Sequence, residues 1–490
     1  MSTLPQTSII SQSISIKRRG SLAFPLKNLR RYLVLVSQQV AISASLIIKH
    51  PFVPPPVPTW PLHLTLFVAV IRATADIQEY VVEDISDIRH LIDTFFHYLP
   101  KLPQMRVVPF KIPIPAHGRC LPGVLEHLEQ SEDGHRTLTG QWIADAKVWD
   151  RVMKLPLANS ARDSKDPFAA REGEKVILYT HGGGYIICST ATHRELLWRI
   201  SRATGRRIFS VDYRLAPEHP YPAALQDASH AFHYLTDPNG CGFGPENVTA
   251  SGDSAGGGLI VAMMMYHRDY NLRMPSKAVL LSPWLDLTMS CESWMTNTMD
   301  YLPSPPKFEH KFNPISFYCS GRDKIKTLAR HPYISPLWGN LSGLPPMLIQ
   351  CGEAERLRDE CALFTHKAGG SFGAYNKHPC KSKIQPQHQS HHVELDMYPE
   401  MVHVFQAIPF LPESSMALER MLEFMERKEA DKQAERTEAV IDIGGITKEQ
   451  GQAIVEWMAV EEFVDSLGIR SIEDSTHLGG CGGETVICSA

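Results

Sequence analysis

The chain has 490 residues and a formal net charge of −4, and no basic stripe interleaves with aromatic residues, which excludes a nucleic-acid-binding surface. Hydrophobic residues at 43% and charged residues at 21% are ordinary for a globular protein, and the length suits one large domain with appendages. Ten cysteines with no C-x-x-C pair and no regular spacing argue against a structural zinc site and read as free thiols of a reducing compartment.

Residues 1–30 are Ser-rich and basic, the composition of a disordered start. The uncharged stretch 32–48 follows Lys17, Arg18, Arg19, Lys27, Arg30 and Arg31, an arrangement resembling a membrane anchor with its positive flank on the cytosolic side. Gln38, Gln39, Ser37, Ser43 and Ser45 interrupt it, and it only just reaches the roughly 17–25 residues a spanning helix needs. An amphipathic helix packed on the protein is the other reading, so localisation is expected to be cytoplasmic or at the endoplasmic-reticulum membrane. Six prolines between Pro51 and Pro61 make a stiff linker, and apolar residues then recur at helical spacing from Leu62 to Ile71. Residues 76–165 show no clear pattern, and 51–165 are assigned as linker and cap-forming region.

From about residue 170 short apolar runs alternate with helical segments. The runs are Val176–Tyr179, Arg207–Val211, Asn247–Ala250, Ala278–Leu281, Met347–Gln350 and Val393–Met397, with helices such as Thr192–Ala203 and Ala223–Leu235 between them. This alternation predicts an α/β fold, a doubly wound, mostly parallel sheet spanning 166–430. In such sheets ligands sit outside the carboxyl ends of the strands. Insertions at 284–345 and 369–392 interrupt the pattern. The first, rich in Pro, Trp and Met, is a candidate for part of a cap. The second carries His378, His388, His391 and His392, read as a solvated loop rather than a metal site. Residues 431–490 read as a helical and flexible extension ending in a Gly/Cys-rich tail.

Two motifs carry chemistry. Gly252-Asp-Ser254-Ala-Gly256 lies between a predicted strand and a predicted helix, the setting of a nucleophile elbow that leaves a serine Oγ exposed. His181-Gly-Gly-Gly184 lies upstream, after another predicted strand. Gly182 and Gly183, having no side chains, can bring their N–H groups close to a developing negative charge, and with the N–H of Ala255 they are assigned as the oxyanion hole. His181 is read as shaping the loop. No Walker lysine follows and no G-x-G-x-x-G occurs, which disfavours a phosphate cradle. No cofactor motif is present.

The base should follow the nucleophile in the chain, and His403 lies just after the last predicted strand, ahead of an apolar segment. His331 and His366 lack that placement. The acid should follow the strand Met347–Gln350, where Glu353, Glu355, Asp359 and Glu360 all occur. Proximity to the strand favours Glu353 or Glu355, and Asp359 and Glu360 read as exposed helix charges.

These segments resemble the hormone-sensitive-lipase-like branch of the α/β-hydrolases. The resemblance rests on His181-Gly-Gly-Gly-Tyr185, Asp212-Tyr-Arg-Leu-Ala-Pro-Glu218, Gly252-Asp-Ser-Ala-Gly256 and Met401-Val-His403-Val-Phe405, in order over about 170–430. It implies the α/β-hydrolase fold with a helical cap, and a serine carboxylesterase with Ser254 and His403 in its triad. The family's G-x-x-D-x-L-x-D segment falls on Gly352-Glu-Ala-Glu355-Arg-Leu-Arg-Asp359, which implies Glu355 as the acid, in place of the usual Asp, with Asp359 as the alternative. The N-terminal extension is similar to that of fungal esterases and deacetylases. The implied substrate is a small-molecule ester, a short-acyl (acetyl-type) ester of a sterol or secondary metabolite. A lipase or amidase on the same triad is an alternative, as is a non-catalytic receptor, which retention of His403 disfavours. Oligomeric state is left open.

Overall fold

The computed structural model describes residues 37–50, 52–81, 84–98, 102–118, 121–307, 309–369, 371–372 and 393–427. The basic start, residues 32–36 of the uncharged stretch, the His-rich tract and the extension 431–490 lie outside them.

The chain divides after Glu83 into two units. In the first, residues 37–49 form helix α1 and Leu62–Val81 form helix α2. Gln39 Nε2 on α1 donates to Thr74 Oγ1 on α2 at 3.0 Å. No helix among the described residues is long and apolar enough to cross a membrane.

The second unit is built on one nine-stranded sheet, in the order β1-β2-β4-β3-β5-β6-β7-β9-β8. Its strands are β1 (Met105–Pro113), β2 (Thr137–Asp145), β3 (Val176–Thr180), β4 (Arg207–Asp212), β5 (Val248–Asp253), β6 (Lys277–Leu281), β7 (Met347–Gly352), β8 (Ser371–Phe372) and β9 (Val393–Tyr398). β3 to β9 pair in parallel, whereas β1 pairs with β2 and β2 with β4 in antiparallel fashion. Every residue of β3, β5, β7 and β9 is buried, as expected of strands covered on both faces. The sheet thus begins before the catalytic stretch assigned from residue 166. Residues 51–165 are more than linker and cap, since they supply β1 and β2.

Helices cover both faces. Side chains alternate along a strand, so Ile177, Tyr179 and Ile208 face one way and meet Leu196, Leu197 and Ile200 of α6 (Arg194–Thr204) and Leu418, Met421 and Phe424 of α13 (Pro412–Glu426). Phe209, facing the other way, stacks on Tyr234 of α7 (Ala223–Thr236). The remaining helices of this unit are α3 (Ile85–Tyr98), α4 (Glu126–Gln130), α5 (Ala146–Val152), α8 (Ala255–Asp269), α9 (Ser293–Thr296), α10 (Pro314–Tyr318), α11 (Arg322–Leu328) and α12 (Arg358–Lys367). The six described cysteines are free thiols, five of them buried.

Candidate active site

β5, β7 and β9 run parallel in one sheet region, with β6 between β5 and β7, and their carboxyl ends deliver Ser254, Glu355 and His403 to the same side of the sheet. Ser254 is the turn between β5 and α8, at φ 51° and ψ −124°, a conformation rare for a residue with a side chain. Its N–H donates to Leu281 O at the end of β6 (2.9 Å), and its carbonyl accepts from Trp284 N (2.8 Å) and Gly258 N (3.1 Å). The turn is possible only because its flanks are small. A Cβ on Gly256 would lie 2.1 Å from Thr180 O, and one on Gly252 would lie 2.6 Å from the Gly256 backbone. Between Val248 and His267, Ser254 alone is not buried. The strand and helix are locked in the interior, and the serine between them reaches solvent.

His403 follows β9 and is 3% exposed. Its Nδ1 lies 3.1 Å from Glu355 Oε2, and Glu355 is fully buried. Burial pushes the imidazole's pKa down, but the hydrogen bond to Glu355 and its charge outweigh this and leave His403 above the ordinary histidine value. Asp253, next to Ser254, adds to the upward pull, so its charge reaches the ring. For Glu355 burial dominates and holds the carboxyl above its usual range, although His403 opposes it. Glu353 turns elsewhere and accepts from Glu400 N at 3.3 Å.

The other two acids correct the sequence reading. Asp359 is not beside His403: it accepts from Ser293 N (2.8 Å) and from Arg358 Nε (2.8 Å). Glu360 is no exposed helix charge but is fully buried, accepting from Leu285 N (2.6 Å), Asp286 N (3.2 Å) and Trp294 Nε1 (3.0 Å). It satisfies donors of the 284–345 insertion, which dock on α12. Those donors are invisible in the local pattern around residue 360.

The oxyanion assignment also needs a correction. The N–H of Gly182 donates to Asp253 Oδ1 at 3.0 Å, so it is committed to that carboxylate. Tyr179 OH donates to the same oxygen (2.7 Å), and His193 Nε2 lies 3.3 Å from Oδ2. Asp253 thereby ties the glycine loop to the elbow. The N–H groups of Gly183 and Gly184 donate no hydrogen bond among the described residues, and both glycines are partly exposed. Ala255 opens α8, so its N–H has no carbonyl one turn back. The free donors are therefore Gly183, Gly184 and Ala255. His181 is buried, stacked on Tyr213 with ring centroids 4.4 Å apart, and burial lowers its pKa to about 4. Its Nδ1 lies 2.8 Å from Gly182 O.

Two residues that the sequence did not single out hold this arrangement. Asp300, in the insertion, accepts from the backbone N–H groups of His403 (3.1 Å), Arg356 (2.9 Å) and Tyr301 (2.8 Å). It fixes the base's loop against the acid's loop. Arg89 on α3 donates to Ile186 O (2.5 Å), to Ala216 O, and to Glu218 Oε2 (2.8 Å). Neither lies in a motif, and their partners are 97 to 129 residues away for Arg89 and 103 for Asp300 with His403.

The chain also has relatives among known proteins. A family model described as alpha/beta hydrolase fold matches residues 177–375. The chain is 35% identical over 254 residues to an acetyl-hydrolase of Streptomyces hygroscopicus, covering 51% of this chain and 75% of the relative. It is 36% identical over 201 residues to an esterase of Acinetobacter venetianus, covering 41% of this chain and 63% of the relative. A crystal structure of an esterase from the bacterial hormone-sensitive lipase family superposes with a TM-score of 0.52 at 29% identity, covering 75% of this chain and 98% of that one. With an elbow serine, a buried histidine–carboxylate pair and a glycine loop on one sheet edge, the chain belongs to the hormone-sensitive-lipase-like branch of the α/β-hydrolase family and is a carboxylic ester hydrolase.

Proposed function

We propose that the protein hydrolyses short-acyl, acetyl-type esters of a hydrophobic small molecule such as a sterol or secondary metabolite, through an acyl-enzyme on Ser254. The observation that carries the mechanism is the buried His403–Glu355 pair at the sheet edge where Ser254 alone breaks the buried run. His403 takes the Ser254 proton as Oγ attacks the ester carbonyl, and Glu355 steadies the imidazolium that forms. The oxyanion is held by the N–H groups of Gly183, Gly184 and Ala255. His403 then protonates the departing alcohol, and water, activated by the same histidine, releases the acid and regenerates Ser254. Nothing in this sequence requires a metal or an organic cofactor.

The acetyl preference draws on the Streptomyces relative, named an acetyl-hydrolase. Aromatic rings near the site support a hydrophobic alcohol. Tyr301 lies 5.8 Å from the His403 ring, and Tyr185, next to the glycine loop, stacks on Tyr318 at 3.9 Å. In the test, purified protein is given p-nitrophenyl esters of increasing chain length, then a panel of acetylated sterols and polyketides. Acetate should be cleaved fastest, and Ser254→Ala should abolish release and labelling by a fluorophosphonate. Faster cleavage of long-chain esters overturns the acyl preference, and activity surviving Ser254→Ala overturns the mechanism.

A further inference from the structure

Beside Glu355 the structure gathers two thiols. Cys351 lies near the end of β7 and Cys361 in the first turns of α12, so strand, loop and helix converge on the acid. A sulfur from each cysteine and a carboxylate oxygen of Glu355 all lie within 4.8 Å of one another, and all three residues are buried. Glu355 presents Oε2 to His403, and its carboxylate is also approached by the Ser282 hydroxyl and the Cys351 thiol. The Cys361 sulfur also lies 3.7 Å from Pro283 O, a further oxygen at the edge of the group.

We propose that Cys351, Cys361 and Glu355 form a site for a thiophilic divalent cation, and that its occupation inhibits the esterase by neutralising the carboxylate on which His403 depends. The inhibitory half rests on the triad reading above, whereas the binding half does not. Two thiolates and one carboxylate are a donor set that suits Zn²⁺ or Cd²⁺ and disfavours Mg²⁺ or Ca²⁺. Binding releases one proton from each thiol to solvent and creates two metal–sulfur bonds, with no change of oxidation state. The carboxylate can bridge, with Oε1 on the metal and Oε2 still toward His403. Its charge is then shared, and the imidazolium that forms during catalysis loses its counter-ion.

Cd²⁺ alone is the probe, titrated into the full-length protein kept reduced by a phosphine that does not chelate metal. Thiolate-to-cadmium absorption in the ultraviolet and ester hydrolysis are followed together. Both should saturate at one ion per chain, with activity falling roughly a hundredfold, and a chelator should reverse both. Cys351→Ser and Cys361→Ser, each compared with its own metal-free rate, should lose the inhibition and the absorption. X-ray absorption on the one-to-one complex of the unaltered protein needs no variant to fold, and should report two sulfur ligands alongside lighter oxygen neighbours. Inhibition that persists in both variants, or a sulfur count other than two, overturns the site. Two sulfur ligands with undiminished hydrolysis would uphold the site and remove Glu355 from the triad.

Discussion

Replacing Glu355 by Gln keeps the shape of the acid and removes its charge. The imidazolium formed on His403 in the transition state faces that charge across 3.1 Å. At an effective dielectric of about 20, Coulomb's law gives roughly 5 kcal/mol for such a pair. This corresponds to nearly four powers of ten in rate at about 1.4 kcal/mol per tenfold. Since the amide oxygen can still accept from Nδ1–H, the expected loss in kcat lies between about 10² and 10⁴; a carboxylate-to-amide change in a serine-protease triad costs about 10⁴. KM for p-nitrophenyl acetate should hardly move, because the charge pair exists only once the proton has been transferred. The pH profile supplies a second readout. Burial lowers the pKa of His403 and Glu355 more than restores it. The neutral base is therefore lost as pH falls through a value above the ordinary histidine range. Without the carboxylate the burial penalty is opposed only by the weaker pull of the Asp300 and Asp253 charges, and the acid limb of kcat/KM should move to lower pH. Asp359→Asn is the control and should keep full kcat, since Asp359 is held by Ser293 and Arg358. A Glu355→Gln enzyme within tenfold of the parent, or an Asp359→Asn enzyme equally impaired, would refute the assignment.

Three further changes probe the surroundings. Gly183→Ala would place a Cβ 2.3 Å from Ile187 O at φ 108°, displacing the glycine loop, and steady-state kinetics should show kcat lower by roughly 10² to 10³ with little change in KM. Arg89→Ala frees Ile186 and Ala216, which flank that loop in space, and should lower kcat roughly tenfold, about 1.4 kcal/mol, while KM changes less. Glu174→Ala strands the buried Arg207, whose Nε and Nη2 donate to Glu174 at 2.7 and 2.8 Å. Urea unfolding should report a loss of about 3–5 kcal/mol, with kcat per folded molecule unchanged.

The central strands were legible because parallel strands buried on both faces read as unbroken apolar runs, as in Val176–Thr180. β1 and β2 were not. β1 buries only Met105 and Ile112 and carries Pro109 and Pro113, residues that argue against a strand. β2 contains Gly140, where a Cβ would lie 2.2 Å from Ser210 O and 2.3 Å from Phe110. The glycine that weakens the sequence signal is required by the close approach of the neighbouring chain. The site divides along the same line. Ser254 and His403 stand in local motifs, so their positions on the sheet edge could be read from order and spacing. The free glycine amides could not, because Gly182 and Gly184 are equivalent in sequence and differ only through Asp253, 71 residues beyond Gly182. Asp253 sits beside Ser254 inside the pentapeptide, so one turn both exposes the serine and takes one glycine amide out of use. The pentapeptide therefore sets which amides remain free, and a change at Asp253 should be felt both in the glycine loop, through Gly182, and in the pKa of His403, which its charge raises.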